Sequence, residues 1–258
     1  DDKIELNNQM NQTLEEIASL LYKRWFVDFE FPDDKGNPYK SSGGEMVDSE
    51  LGMIPKGWEV KELGELVSIC NGYSYRGTDL MKSESAMVTI KNFDRNGGFK
   101  KNGFKEINLS QKLKEDHFAY RGDLFIAHTD LTQNADIIGN PIILMTSLNY
   151  EKIIYSMDVV KIKSMKNDFG NAFLKQIFYN KRFKKHALSY TSGTTVLHLS
   201  KKAIKNYRIS IPNVVQKSTI DIIKKILRKQ MILIEENIVL ENTGQYLSKK
   251  IILKNMKR

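Results

Sequence analysis

Ile226-Leu227-Arg228-Lys229-Gln230-Met231-Ile232-Leu233-Ile234-Glu235-Glu236-Asn237-Ile238-Val239-Leu240 sits inside a stretch, residues 214–254, that no proline interrupts. Ile226, Leu233, Leu240 and Leu247 recur every seven residues, and Ile223, Gln230, Asn237, Gly244 and Ile251 occupy the companion positions. A heptad that alternates apolar with polar or small layers is the seam of a coiled coil, and its polar layers select register. A helix of about 40 residues is well beyond the usual globular length. Gly244 costs about 1 kcal/mol in a helix interior and is a place for a kink. Such a seam requires a partner helix.

The other end of the chain supplies one. Residues 5–27 predict a second helix with Leu6, Met10, Leu14, Ile17, Leu20, Leu21 and Trp25 at helical spacing, and Leu14, Ile17 and Leu21 as seam residues. Its flanks are polar (Asn7, Asn8, Gln9, Asn11, Gln12), which suits a narrow two-helix seam better than a globular core. Pro32 stops the helix, so the segment is bounded at 1–31. Residues 4–15 weakly echo residues 234–241. Two helices of similar character therefore bracket one domain, and their simplest pairing is antiparallel.

Between them, residues 32–55 hold Pro32, Gly36, Pro38, Gly43, Gly44, Gly52 and Pro55, and read as a linker. Residues 56–212 read as a loop-rich mixed domain. Strands are expected at Met87–Lys91, Asp123–His128, Ile137–Met145, Asp158–Ile162 and Tyr207–Ile211, and one amphipathic helix at about Asn171–Leu188. Residues 213–258 are the distal helix. The fold class is α+β: one domain flanked by two long helices forming an antiparallel coiled coil.

Charge is uneven. Residues 1–55 carry a net −7, residues 56–212 a net +10 and residues 213–258 a net +6. A basic middle suits a polyanion, although ordinary solvation by lysine produces the same count. No apolar run approaches the ~18–20 residues of a membrane span. A single cysteine, Cys70, excludes an internal disulfide and fits a reducing compartment, and Asp1-Asp2-Lys3 lacks the profile of a secretion signal. The expectation is a cytoplasmic protein without membrane contact.

Four stretches carry a family resemblance: Leu14-Glu15-Glu16-Ile17-Ala18 running into Lys23-Arg24-Trp25-Phe26-Val27-Asp28-Phe29; Gly52-Met53-Ile54-Pro55-Lys56-Gly57-Trp58; Gly122-Asp123-Leu124-Phe125-Ile126-Ala127; and Ser192-Gly193-Thr194-Thr195-Val196-Leu197-His198-Leu199 leading to Ile209-Ser210-Ile211-Pro212. Their ordered set resembles the specificity subunits of type I restriction-modification systems across nearly the whole chain. The resemblance implies two target-recognition domains joined by two long helices, each domain reading half of a split DNA site. Here one such domain is present, at 56–212. The resemblance also implies modification subunits carrying S-adenosylmethionine, a restriction subunit using ATP and Mg, and no cofactor or catalysis on this chain. The resemblance leaves two readings, the C-terminal half of such a subunit, with 56–212 as its second recognition domain, or a natural half-subunit, and a natural half-subunit can pair with itself as a homodimer.

DNA affinity comes from Lys and Arg on phosphates, and specificity from hydrogen bonds to base edges. Three clusters offer both, and each has a plainer reading as a polar turn or a helix end. The first is Lys91, Asn92, Arg95, Asn96, Lys100 and Lys101 around Gly97-Gly98. The second is Thr129, Thr132, Gln133 and Asn134, where Gln and Asn suit the adenine edge. The third is Lys184 and Lys185 with Tyr190, Ser192, Thr194 and Thr195. Arg76 is a further candidate cation.

Enzyme readings are poorly supported. Asp33 with Glu59-Val60-Lys61 superficially resembles a nuclease carboxylate set, but Asp33 lies in the linker. Asn37-Pro38-Tyr39 resembles an adenine-methylase tetrapeptide without its second proline. No glycine-rich strand-to-helix turn suggests a methyl-donor site, no phosphate-binding loop for ATP is present, and His117, His128, His186 and His198 lack metal-ligand spacing. The alternatives are a coiled-coil scaffold that binds protein, or a fragment of a DNA-cleaving or DNA-methylating enzyme.

Overall fold

The computed structural model describes residues 2–95, 97–109, 113–165, 170–212 and 217–255. Helix α1 spans Asp2–Tyr22 and continues as one π-helical turn, Lys23–Val27, which Asp28 closes by donating its backbone N–H to the Lys23 carbonyl. Helix α2 is Asn171–Tyr179, α3 is Lys181–Ser189, α4 is Lys202–Lys205 and α5 is Lys217–Asn255.

The single amphipathic helix expected over 171–188 is two. Asn180 turns extended (φ −69, ψ 138), and its side chain accepts a hydrogen bond from the Arg182 backbone N–H, capping α3. Asparagine competes for backbone donors in this way and so favours caps over helix interiors. The break leaves Phe178 and Phe183 edge to face at 4.9 Å, both in the core.

Helices α1 and α5 pack antiparallel. Asn7 donates to Asn237 Oδ1 (2.8 Å), and Gln230 donates to the Asn11 carbonyl (3.2 Å) and to Glu15 (3.2 Å), so advance along α1 is retreat along α5. On α5, Ile220, Ile223, Gln230, Leu233 and Asn237 are buried, with Ile226 and Leu240 half-buried. The expected heptad holds from Ile223 to Leu240, and the side chain of Ile251 lies outside the described residues. Leu247 is 51% exposed, because no described residue of α1 lies opposite it. On α1 the seam is rotated from the leucine stripe. Asn7, Ala18 and Tyr22 are buried, Leu14 and Leu21 half-buried, and Ile17 is 43% exposed. Helix α1 faces α2 as well as α5, and the large ring of Tyr22 turns toward α2.

The domain is built on an antiparallel four-stranded sheet, ordered Val67–Asn71, Val159–Ser164, Leu124–Ala127, Pro141–Ile143. Leu124-Phe125-Ile126-Ala127 is continuously apolar because both faces are covered. Leu124 and Ile126 join the helices α2 and α3 in the larger core, while Phe125 and Ala127 join Tyr155, Val88 and Ile142 in a second core behind the sheet. That second core rests on a three-stranded sheet in which Ser85–Val88 pairs with Lys152–Tyr155 and Lys105–Glu106. Lys161 enters it too, its ammonium bonded to the Phe118 carbonyl (2.6 Å) and lying 3.5 Å from Asp123.

The expected linker is ordered. Met46–Val47 pairs with Ile54–Pro55, and Trp58 opens a strand, Trp58–Glu62, that pairs with Arg208–Pro212. Trp58 gathers Phe26, Phe29 and Phe31 with ring centroids 5.3–5.6 Å away, and Tyr39 stacks on Phe31. These aromatics close the junction between helix and domain.

Candidate nucleic-acid interface

Three loops of the domain converge on one edge. The strand Thr129–Asp130 pairs with Leu197–Leu199, which pairs in turn with Thr191–Ser192, so the turn after Asp130 and the turn after Ser192 are neighbours. Gln133 joins them by donating to the Thr194 carbonyl (2.5 Å). The third loop is a hairpin closed by Phe93 and Phe99, and Arg95 at its tip lies 3.7 Å from Asp136.

Asp130 organises the middle loop. Its carboxylate accepts from the backbone N–H groups of Thr132 (2.9 Å), Ile137 (2.7 Å) and Ile138 (3.3 Å) and from the Thr132 hydroxyl (2.8 Å). Burial acts to raise this carboxyl, but the four donors outweigh it and hold it below its usual range. Lys184 reaches the same loop from α3. Its ammonium donates to the carbonyls of Ala135 (2.8 Å), Asp136 (3.2 Å) and Ile138 (2.7 Å) and to Asn140 Oδ1 (3.0 Å). Burial pushes the Lys184 ammonium down to about 8, opposed by Asp130 and Asp136.

Several expected DNA contacts are therefore spent inside the fold. Lys184 is a loop clamp, not a phosphate grip. Asn92 is fully buried, accepting from the Thr89 backbone N–H (2.9 Å) and donating to the Lys100 carbonyl (2.9 Å). Thr129 is buried against Asp158, and Thr132 bonds Asp130. Lys101 pairs with Glu241 of α5 and ties the domain to the long helix. Tyr190 packs against His186 and the core. Lys100 stays exposed, 3.7 Å from Asp94. Asn96 lies outside the described residues.

Gln133, Asn134, Ser192, Thr194 and Thr195 are exposed on the converging loops. Arg76, Lys91 and Lys185 are exposed and, among the described residues, form no ion pair. Sequence reasoning missed Asp130 and Asp136. The signal for the first was available: Asp130-Leu131-Thr132 is the spacing at which an Asp side chain caps the backbone two residues on. Gly193 holds φ +127, and a Cβ there would meet the Val196 carbonyl oxygen at 2.0 Å. Gly193→Ala is expected to cost about 1–3 kcal/mol of backbone strain and to reshape this loop. A thermal midpoint equal to that of the parent would contradict this.

Among the described residues no group of His, Cys, Asp or Glu is placed to hold a metal ion, and no helix is long and apolar enough to cross a membrane.

Residues 55–242 match the family model of the type I restriction modification DNA specificity domain. The type I restriction enzyme MjaIX specificity subunit of Methanocaldococcus jannaschii is 42% identical over 72 residues, 28% of this chain and 15% of that protein. The HindI specificity subunit of Haemophilus influenzae is 73% identical over 30 residues, 12% of this chain and 6% of that protein. The S subunit of a type I restriction-modification system from M. genitalium shares the fold, with a TM-score of 0.51 and 10% identity over 99% of this chain and 56% of that one. The chain thus spans little more than half of that subunit and smaller parts of the two curated relatives. With the domain match covering most of the chain and the two-helix frame in place, this protein belongs to the type I restriction modification DNA specificity domain family.

Proposed function

We propose that this chain is a sequence-specific DNA-recognition subunit of a type I restriction-modification complex and reads one half of a split target. The observation that carries the reading is the convergence of three polar loops on one edge, within a segment of net charge +10, in a chain of this family. Gln133, Asn134 and the Ser192–Thr195 hydroxyls face the base edges. Arg76, Lys91, Arg95 and Lys185 hold phosphates and set register. The chain is non-catalytic in this reading. Modification subunits supply S-adenosylmethionine and adenine methylation, a restriction subunit supplies ATP- and Mg-dependent cleavage, and the helix pair α1/α5 is where such partners dock. The complex works in the cytoplasm.

The test is co-expression with a modification subunit, followed by genome-wide mapping of methylated adenines. A bipartite motif supports the reading. A palindromic motif means that two copies of this chain assemble, and an asymmetric one means that a second recognition domain supplies the other half. Association without any methylation would mean that this chain needs a second recognition domain before the complex acts, and no association would refute the reading. Gln133→Ala combined with Asn134→Ala is expected to relax the motif without lowering the thermal midpoint by more than a degree or so, since both side chains are exposed. Binding of the complex to duplex DNA is expected to weaken with salt at a slope of about −0.9 per phosphate contact. A slope near zero would favour the scaffold alternative.

A further inference from the structure

Resting on that reading, we propose that Asp130 and Lys184 clamp the loop 131–140 in one conformation in which Gln133 and Leu131 read a single A·T base pair. The loop is held from both sides. Asp130 takes three of its backbone N–H groups and one hydroxyl, and Lys184 takes three of its carbonyls and the Asn140 side chain. Ala135, between the two grips, sits at φ 54, a left-handed conformation that a residue with a Cβ keeps only when its surroundings impose it.

The fixed loop presents two side chains of complementary chemistry. Gln133 uses one N–H of its amide on the Thr194 carbonyl, which sets its rotamer. One N–H and the amide oxygen remain, and these are the donor and acceptor that adenine N7 and its N6 amino group require in the major groove. Asn134, exposed beside it, has no such anchor among the described residues. Leu131 is 66% exposed, apolar in a polar loop and two residues away. The C5 methyl of thymine, the other half of the same pair, is the apolar group the major groove offers it. Asp130 and Lys184 never touch DNA in this arrangement. They are positioning residues, and Gln133 and Leu131 are the specificity determinants.

The experiment selects bound duplexes from a pool with a randomised core, using the assembled complex of this chain with its modification subunits. Wild type is compared with Gln133→Glu, Leu131→Ala and Lys184→Met. The expected result is a wild-type motif containing an A·T pair whose preference falls about 5- to 150-fold in Gln133→Glu, the range of one bidentate base contact. Glu keeps the acceptor but loses both N–H groups, the one meant for adenine N7 and the one that anchors the side chain on the Thr194 carbonyl, so the preference for adenine at that position should be lost. Lys184→Met should blur that same position and leave the others sharp, whereas a merely structural lesion weakens all positions together. Replacing that thymine by uracil should weaken wild type and leave Leu131→Ala unaffected. A wild-type motif that survives Gln133→Glu unchanged overturns the proposal while the DNA-reading function stands. No wild-type motif at all removes the function and the proposal together. Should Lys184→Met fail to fold, the two loop-tip variants decide, because their side chains are exposed.

Discussion

Glu15→Ala is expected to destabilise the chain by about 3–5 kcal/mol, because it strands a buried ammonium. Glu15 on α1 accepts from Lys175 (2.6 Å) and Gln176 (3.4 Å) on α2 and from Gln230 (3.2 Å) on α5, so one carboxylate joins both long helices to the domain. The Lys175 side chain is only 10% exposed. Without Glu15 its charge keeps no counter-ion among the described residues. Removing both charges as Glu15→Met with Lys175→Met should recover most of the loss, since well-packed apolar residues commonly replace a buried pair at little cost. The pH dependence follows from the carboxyl's shift. Burial acts to raise its pKa, but the Lys175 charge and the hydrogen bonds from Lys175, Gln230 and Gln176 outweigh burial and hold it below the usual carboxylate range. A depressed carboxyl contributes stability that is fully present above its unfolded pKa and is lost as pH falls through the folded one. Urea unfolding of parent and variant should therefore differ fully at neutral pH and converge in acid. Equal midpoints at neutral pH would show that the node holds nothing together.

Phe173→Ala is expected to cost about 3–5 kcal/mol through lost burial and the cavity left behind. Phe173 on α2 is 1% exposed and meets Tyr22 and Phe26 from the other side of the same joint, at 5.7 and 4.7 Å between ring centroids, both edge to face. Its loss should be non-additive with Tyr22→Ala, by about 0.5–3 kcal/mol, because the two rings share one contact. Strictly additive losses would mean that the rings are packed independently. Phe173 and Glu15 together fix the domain on the helix pair, one by shape and one by charge. A weakened joint should also blur the spacing between the two half-sites of the proposed target, which the methylation map would report as a variable gap.

Some of this was written locally. The heptad through Ile226, Leu233 and Leu240 is legible in a short window because burial on one face repeats with the helix, and the run Leu124–Ala127 because a strand covered on both faces is apolar throughout. The antiparallel pairing of the two end helices followed from two seams that each needed a partner. The sequence by itself thus determined the frame: two helices, one mixed domain between them, polar loops at its edge. What only the tertiary structure decided is which polar residues remain for a ligand. Asn92, Thr129, Lys101 and Lys184 looked as available as Gln133 and Asn134, yet each is bonded to a group brought beside it by the fold, in the case of Lys184 to carbonyls more than forty residues away along the chain. The rotation of the α1 seam toward Asn7, Ala18 and Tyr22 was decided in the same way, by a third helix packing against it. Apart from a short-range cap such as that of Asp130 on Thr132, a polar side chain carries no local mark of whether it will meet water, DNA or a buried carbonyl. Its fate is set by the unpaired backbone groups that folding places within its reach, because leaving those groups unsatisfied costs more than a surface contact returns.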